Sequence, residues 1–415
     1  MLVCFVLLII LFLIKVIFNI KLMHPHGMFV TLWLVFIAGS LLLLSNDYEF
    51  HFFGIIWIMS ALILFCVGFG IVQYSFLMRK NEFVKCGFIP RIPWVLYIFF
   101  ILIGFLGVGI NALHYGIGLD TFSSFQSLQS ASHNAAVQRY SGAETSSGVI
   151  NQIFNTFIYI LPLCAGYNWV YAETKLKKIL CAVSFLPTFI LMLITSAKLA
   201  IVAYVMLFFA GFYTSYLYKN KQLLKINFKK SIQYSLIGLG LFLMFVFSFI
   251  LRIGTDEDNL LKLIISKLAI YAFGHIQGFD IWFKQMDYLT LDYGFGGNTF
   301  LAIASRFGFE KNEQGIYDIL EGACTNVYTP FRGIIEDYGL VLGLVLVFLM
   351  GMLTSWFYMH VRYSRKKQLV SQLGLITLLF CVFYFIISPW TYTTYVFAFV
   401  VFAFYIFIAF RKEQR

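Results

Sequence analysis

Charge is scarce in this sequence. Only 12% of its 415 residues are Asp, Glu, Lys or Arg, whereas 61% are hydrophobic and 20% aromatic. A water-soluble chain covers itself with polar groups, and one with so few of them would aggregate. Cysteine is scattered as well. Cys4, Cys66, Cys86, Cys164, Cys181, Cys324 and Cys381 imply no disulfide framework, and no Cys or His pair stands at zinc-ligand spacing. A Walker-type phosphate loop, a Gly-x-Ser-x-Gly elbow and an internal repeat are all missing, which argues against an ATP-driven pump and against a carrier built from duplicated halves.

Apolar runs fill the rest of the chain, and the mean hydropathy is +0.85. Runs of about twenty apolar residues, each long enough to cross roughly 30 Å of hydrocarbon as a helix, recur throughout. Spans are expected at 2–20, 28–45, 52–76, 93–113, 148–171, 178–195, 198–218, 231–251, 334–358, 371–389 and 392–410. The expected fold is therefore an all-α polytopic membrane protein with about eleven transmembrane helices in one domain, 1–415. The first run has no basic region before it and no small-residue cleavage site after it, so it reads as a retained span.

Basic residues beside spans mark the cytoplasmic side. Four connections are basic: Arg79 to Arg91, Lys175 to Lys178, Lys219 to Lys230, and Arg362 to Lys367. They alternate with neutral or acidic ones such as Asn46-Asp47-Tyr48-Glu49, which places the amino terminus outside and the Arg411–Arg415 tail inside. The net charge of +11 follows from this pattern, and nucleic acid is not implied as a partner.

The same map leaves two long extracytoplasmic loops, 114–147 and 252–333. The larger one holds seven basic residues against ten acidic ones. Within it, Leu260 to Lys284 alternates apolar clusters with Lys262, Lys267, His275 and Asp280, interrupted by Gly274 and Gly278, and reads as one or two amphipathic helices on the membrane surface. Asp256-Glu257-Asp258 has the form of a metal-binding triplet but reads as a solvated turn, and no metal is expected.

Cations near the outer face carry the chemistry. Arg139, Lys198, Arg252, Arg306 and Arg332 are the candidates to converge there. Lys198 follows Thr195-Ser196-Ala197 in a tight turn between spans, where its ammonium either faces a polar cavity or snorkels to headgroups. Arg332 lies in Asn326-Val327-Tyr328-Thr329-Pro330-Phe331-Arg332-Gly333, which runs into Glu336-Asp337-Tyr338-Gly339 at the mouth of a span. Glu336 and Asp337 either complement the helix dipole or orient Arg332 and take a proton. Guanidinium forks suit phosphate oxygens.

These residues resemble a family. Thr-Ser-Ala-Lys between two spans, a long outer loop with Gly296-Gly297-Asn298-Thr299-Phe300, then Asn-Val-Tyr-Thr-Pro-Phe-Arg and Asp-Tyr-Gly are similar to the Wzy-type polymerases of O-antigen and capsular repeat units. The resemblance implies a GT-C-like fold in the bacterial inner membrane and a glycosyltransferase without metal or other cofactor. A glycan would pass from undecaprenyl pyrophosphate to a sugar hydroxyl of another lipid-linked repeat unit, with membrane lipids and a chain-length regulator as further partners. Arg252, Arg332 and Lys198 would face the pyrophosphate, with Arg139 and Arg306 as weaker binders. His275, Asp337 or Glu336 would accept the proton. Tyr328, Tyr293, Phe295 and Trp282 would stack on sugars or serve an interfacial belt, and Asn298 would line the site. An O-antigen ligase, or a flippase of lipid-linked oligosaccharide, is the alternative.

Overall fold

The computed structural model describes residues 22–78, 89–140, 149–195, 198–225, 227–253, 260–287, 293–308, 317, 319–364, 368–384 and 386–411. No β-strand occurs among them. The helices are α1 (Pro25–Leu44), α2 (Phe53–Met78), α3 (Trp94–His114), α4 (Phe125–Tyr140), α5 (Val149–Trp169), α6 (Lys175–Val183), α7 (Phe185–Thr195), α8 (Lys198–Asn220), α9 (Phe228–Ile253), α10 (Leu260–Gln285), α11 (Leu301–Ala304), α12 (Pro330–Tyr363), α13 (Leu369–Phe383) and α14 (Thr393–Arg411).

Among the described residues nine helices are long and apolar enough to cross a membrane, α6 and α7 counting as one span bent at Ser184. This is a polytopic membrane protein. The expected span at 2–20 lies outside the described residues, and the one at 371–389 is a shorter helix, Leu369–Phe383, followed by a 3-10 turn. The Asp256-Glu257-Asp258 triplet also lies outside them.

The chain forms two compact units, Met1–Lys85 with Ile265–Thr393, and Cys86–Ile264 with Thr394–Arg415. In the first, α2 and α12 pack along their lengths. Small residues permit this: a Cβ on Gly68 would strike the Phe348 carbonyl, and one on Gly351 would strike that of Phe65. The second unit repeats the device with α5 and α8, where a Cβ on Gly166 would strike the Phe208 carbonyl and one on Gly211 that of Leu163. Close backbone approach through glycine is how helices gain packing energy in lipid, where apolar surface has no water to leave.

Two connections are more ordered than their composition suggests. The loop 114–147 contains α4, tied to α9 by Gln129 Nε2 donating to the Ile250 carbonyl at 3.3 Å. In the larger loop, α10 runs unbroken through Gly274 and Gly278. Its first half exposes Lys262 and Lys267, but Gly274–Phe283 is buried, so the second half is interior and not an amphipathic surface. Gln277 is satisfied there by the Glu49 and Gly322 carbonyls and the Cys324 amide, at 3.1, 2.9 and 2.9 Å.

Candidate functional site

The site is built on the first turns of α12. Pro330 opens the helix, where its missing N–H is no loss and its fixed φ is already helical. Arg332 and Glu336 then share a face one turn apart, and Arg332 Nε donates to Glu336 Oε1 at 2.7 Å. Three aromatic rings enclose the guanidinium, whose Cζ stands 3.9 Å from the ring centre of Tyr317, 4.4 Å from Tyr328 and 5.2 Å from Trp282. Trp282 comes from the buried half of α10, while Tyr317 and Tyr328 precede α12. Such contacts strengthen as water is excluded, and here the Arg332 and Glu336 side chains are only 15% and 18% exposed.

One donor is left over. Arg332 Nη1 is buried and has no hydrogen-bond partner among the described residues. A buried donor left unmade costs about 1–3 kcal/mol, more when charged, so an anionic oxygen that reached it would bind with that gain. Burial, reinforced by the Glu336 charge and opposed by Arg332, raises the Tyr317 pKa well above that of a free phenol. Tyr317 is therefore a neutral O–H beside the guanidinium.

Asp337 serves a different structure. Successive helical residues point about 100° apart, and its carboxylate faces the turn 294–299. It accepts from the Asn298 amide at 2.9 Å, Asn298 Nδ2 at 3.1 Å and the Thr299 amide at 2.6 Å. Two residues on, Gly339 takes φ +77°, ψ 178° and kinks α12, a conformation open to glycine at little cost. The kink frees carbonyls, and the fold fills them: Gly294 N–H donates to Glu336 O at 3.2 Å, Phe295 N–H to Asp337 O at 3.3 Å, and Trp57 Nε1 to Leu340 O at 3.3 Å. Between turn and helix lies an open groove of about 570 Å³ lined by Tyr293, Phe295, Tyr338 and the Gly339–Leu342 stretch.

The structure brings Arg332, Glu336, Tyr328 and Trp282 together, and Asp337 with Asn298. Tyr328 and Trp282, expected as sugar platforms, are instead buried beneath Arg332, whereas Tyr293 and Phe295 are exposed. Arg306 is exposed in the turn Ser305–Phe307. The surface placement expected for His275 is corrected: it is 2% exposed between the Trp33 and Phe36 rings, and burial lowers its pKa to about 3.

Lys198, Arg252 and Arg139 belong to the second unit. Lys198 begins α8, buried, with Nζ 3.6 Å over the Phe249 ring. Phe249 lies one turn before Arg252 on α9, so Lys198 neighbours the turn that carries Arg252. The Arg252 and Arg139 side chains lie outside the described residues.

Two residues escaped the sequence reading. Tyr317 had no motif around it. Asp280 was counted as one charge on an amphipathic face, yet it is fully buried and caps α2 by accepting from the His51, Phe52 and Gly54 amides at 2.6, 2.8 and 2.9 Å. Among the described residues no group of three or more His, Cys, Asp or Glu is placed to hold a metal ion. Comparison with protein families, with curated proteins and with solved structures finds no match to this chain.

Proposed function

We propose that this protein is a polymerase of lipid-linked oligosaccharide repeat units in a bacterial inner membrane. The observation that carries the reading is the caged Arg332 at the head of a membrane-spanning helix, with Nε on Glu336 and Nη1 buried without a hydrogen-bond partner among the described residues. A fixed, poorly hydrated guanidinium binds phosphate oxygens through its planar fork. A glycosyl pyrophosphate is the substrate that both needs such a cation and arrives by way of the bilayer.

In the reaction, the acceptor hydroxyl oxygen bonds to the anomeric carbon as the bond to the pyrophosphate oxygen breaks. The electron pair leaves with the pyrophosphate, and Arg332 stabilises that developing charge. The hydroxyl proton goes to Glu336, which lies beside Arg332. Asp337 is occupied with three N–H donors and His275 is buried among aromatic rings. The glycosyl pyrophosphate bond supplies the driving force, so no ATP is consumed.

The test is the lipopolysaccharide or capsule banding pattern of a strain lacking this protein, complemented with wild type or with Arg332→Ala. Loss of the long-chain ladder with single-repeat core retained, restored by wild type and not by the membrane-inserted variant, supports polymerisation. Loss of every repeat unit from the core reassigns the protein as a ligase or flippase. An unchanged ladder overturns the glycan reading.

A further inference from the structure

One end of the second unit is a closed ring of cations. The Arg91 amide donates to the Ala409 carbonyl at 2.9 Å, next to Arg411 at the end of α14. The Phe410 ring stands 5.7 Å from that of Tyr218, and the adjacent Lys219 donates from Nζ to the Val170 carbonyl at 2.9 Å while lying 5.3 Å over Tyr171. From there the chain enters α6, where Lys177 reaches 5.4 Å over the Trp94 ring, three residues from Arg91. Lys175 and Lys178 are exposed on the same helix. Among the described residues of this ring the only carboxylate is Glu173, 3.9 Å from Lys177.

The outward face of α6 and α7 shows what this ring meets. Lys175 and Lys178 are followed along one stripe by Ile179 and Leu186, 56% and 42% exposed, with Leu176 at 67% beside them. Residues three, four and seven apart share a face. That stripe therefore passes from ammonium groups to bare aliphatic side chains within one turn, and Trp94 sits at the same level beneath Lys177. A soluble acidic partner would contact the charges and leave the aliphatic row unmatched. A lipid leaflet matches both, headgroup against lysine and acyl chain against Ile179 and Leu186.

We propose that this ring is a binding surface for anionic phospholipid headgroups, with Lys175 and Lys178 as its outward contacts and Ile179 marking the depth at which acyl chains begin. The purified full-length protein, in nanodiscs of equimolar phosphatidylglycerol and phosphatidylcholine, tests it. The readout is the proportion of each lipid retained, by native mass spectrometry, for wild type, Lys175→Gln with Lys178→Gln, and a control pair Lys284→Gln with Arg306→Gln, both exposed in the first unit. Each lysine near an anionic surface contributes about 1 kcal/mol, so the first pair should reduce the preference for phosphatidylglycerol on the order of thirtyfold. The control pair should leave it unchanged, and all three proteins should elute as one species. Equal preference in wild type and the first pair, or equal loss in both pairs, would overturn the proposal. Binding of soluble polyglutamate with no lipid preference would also overturn it and assign the ring to a protein partner.

Discussion

The carboxylate of Asp337 stands 2.6 Å from the backbone amide of Thr299, 38 residues away in sequence. With the two contacts to Asn298 it fastens the turn 294–299 to the kink of α12. Asp337→Asn places an amide N–H₂ against those N–H donors, and the mismatch should cost roughly 3 kcal/mol. The expected result is a lower unfolding temperature for the purified protein together with loss of activity. A variant that unfolds like wild type but has lost its turnover would show that Asp337 acts in the chemistry.

Its neighbour should behave in the opposite way. Glu336→Gln retains a carbonyl oxygen that accepts from Arg332 Nε, so stability should change little while turnover falls about a hundredfold or more, as expected for removal of a general base. Arg332→Lys keeps the charge but loses the fork, and a single ammonium does not hold Glu336 and a phosphate oxygen in the same geometry. It should lose a large part of the roughly hundredfold or greater effect expected for Arg332→Ala. In vitro polymerisation with lipid-linked substrate checks both. Full turnover in Glu336→Gln would remove it from the proton transfer.

His275 makes the protein sensitive to acid. Burial holds its folded pKa at about 3, below the ordinary histidine value of 6.5, so the unfolded chain takes up the proton first as pH falls. Stability from this group is complete above pH 6.5 and is lost progressively between 6.5 and about 3. His275→Phe should flatten the decline of unfolding temperature across that window. An unchanged slope would mean that other groups set the acid limit.

Much of this was legible in the chain because lipid imposes a length on apolar runs, and the expected spans within the described residues coincide with long helices, except 178–195, which is bent into two, and 371–389, which is a shorter helix. The pairing of Arg332 with Glu336 was legible in part, since four residues is one helical turn. What hydropathy does not carry is which face meets which. Gly274 and Gly278 read as interruptions because glycine weakens a helix. In the fold they are contact points, where a Cβ would lie 2.9 Å from Cys324 Sγ and 3.3 Å from the Val327 carbonyl. The Trp282 and Tyr328 rings read as sugar platforms because nothing in a linear sequence shows that Arg332 covers them. Asp280 reads as a charge on an amphipathic face, and Asp337 as a helix-dipole charge or proton acceptor, because their amide donors lie 226 or more and 38 or more residues away.

The glycine crossings give the prediction that depends least on the proposed chemistry. Gly351 faces the Phe65 carbonyl and Gly68 faces that of Phe348, so α2 and α12 approach backbone to backbone. Gly351→Val would put a branched side chain where no Cβ fits, and the obstacle is main chain that does not rotate away. The helices would have to separate, and α12 would draw Arg332 and Glu336 away from Trp282 on α10. Activity and detergent stability should therefore fall together, although residue 351 lies far along the helix from Arg332. Gly70, on the same helix as Gly68 but with nothing within 4 Å of its added Cβ, is the matched control. Gly70→Val should retain both stability and activity, within the few tenths of a kcal/mol by which valine and glycine differ in helix propensity. Size-exclusion profiles and thermal unfolding of the two variants decide it: equal behaviour would mean that α2 and α12 do not meet at these glycines.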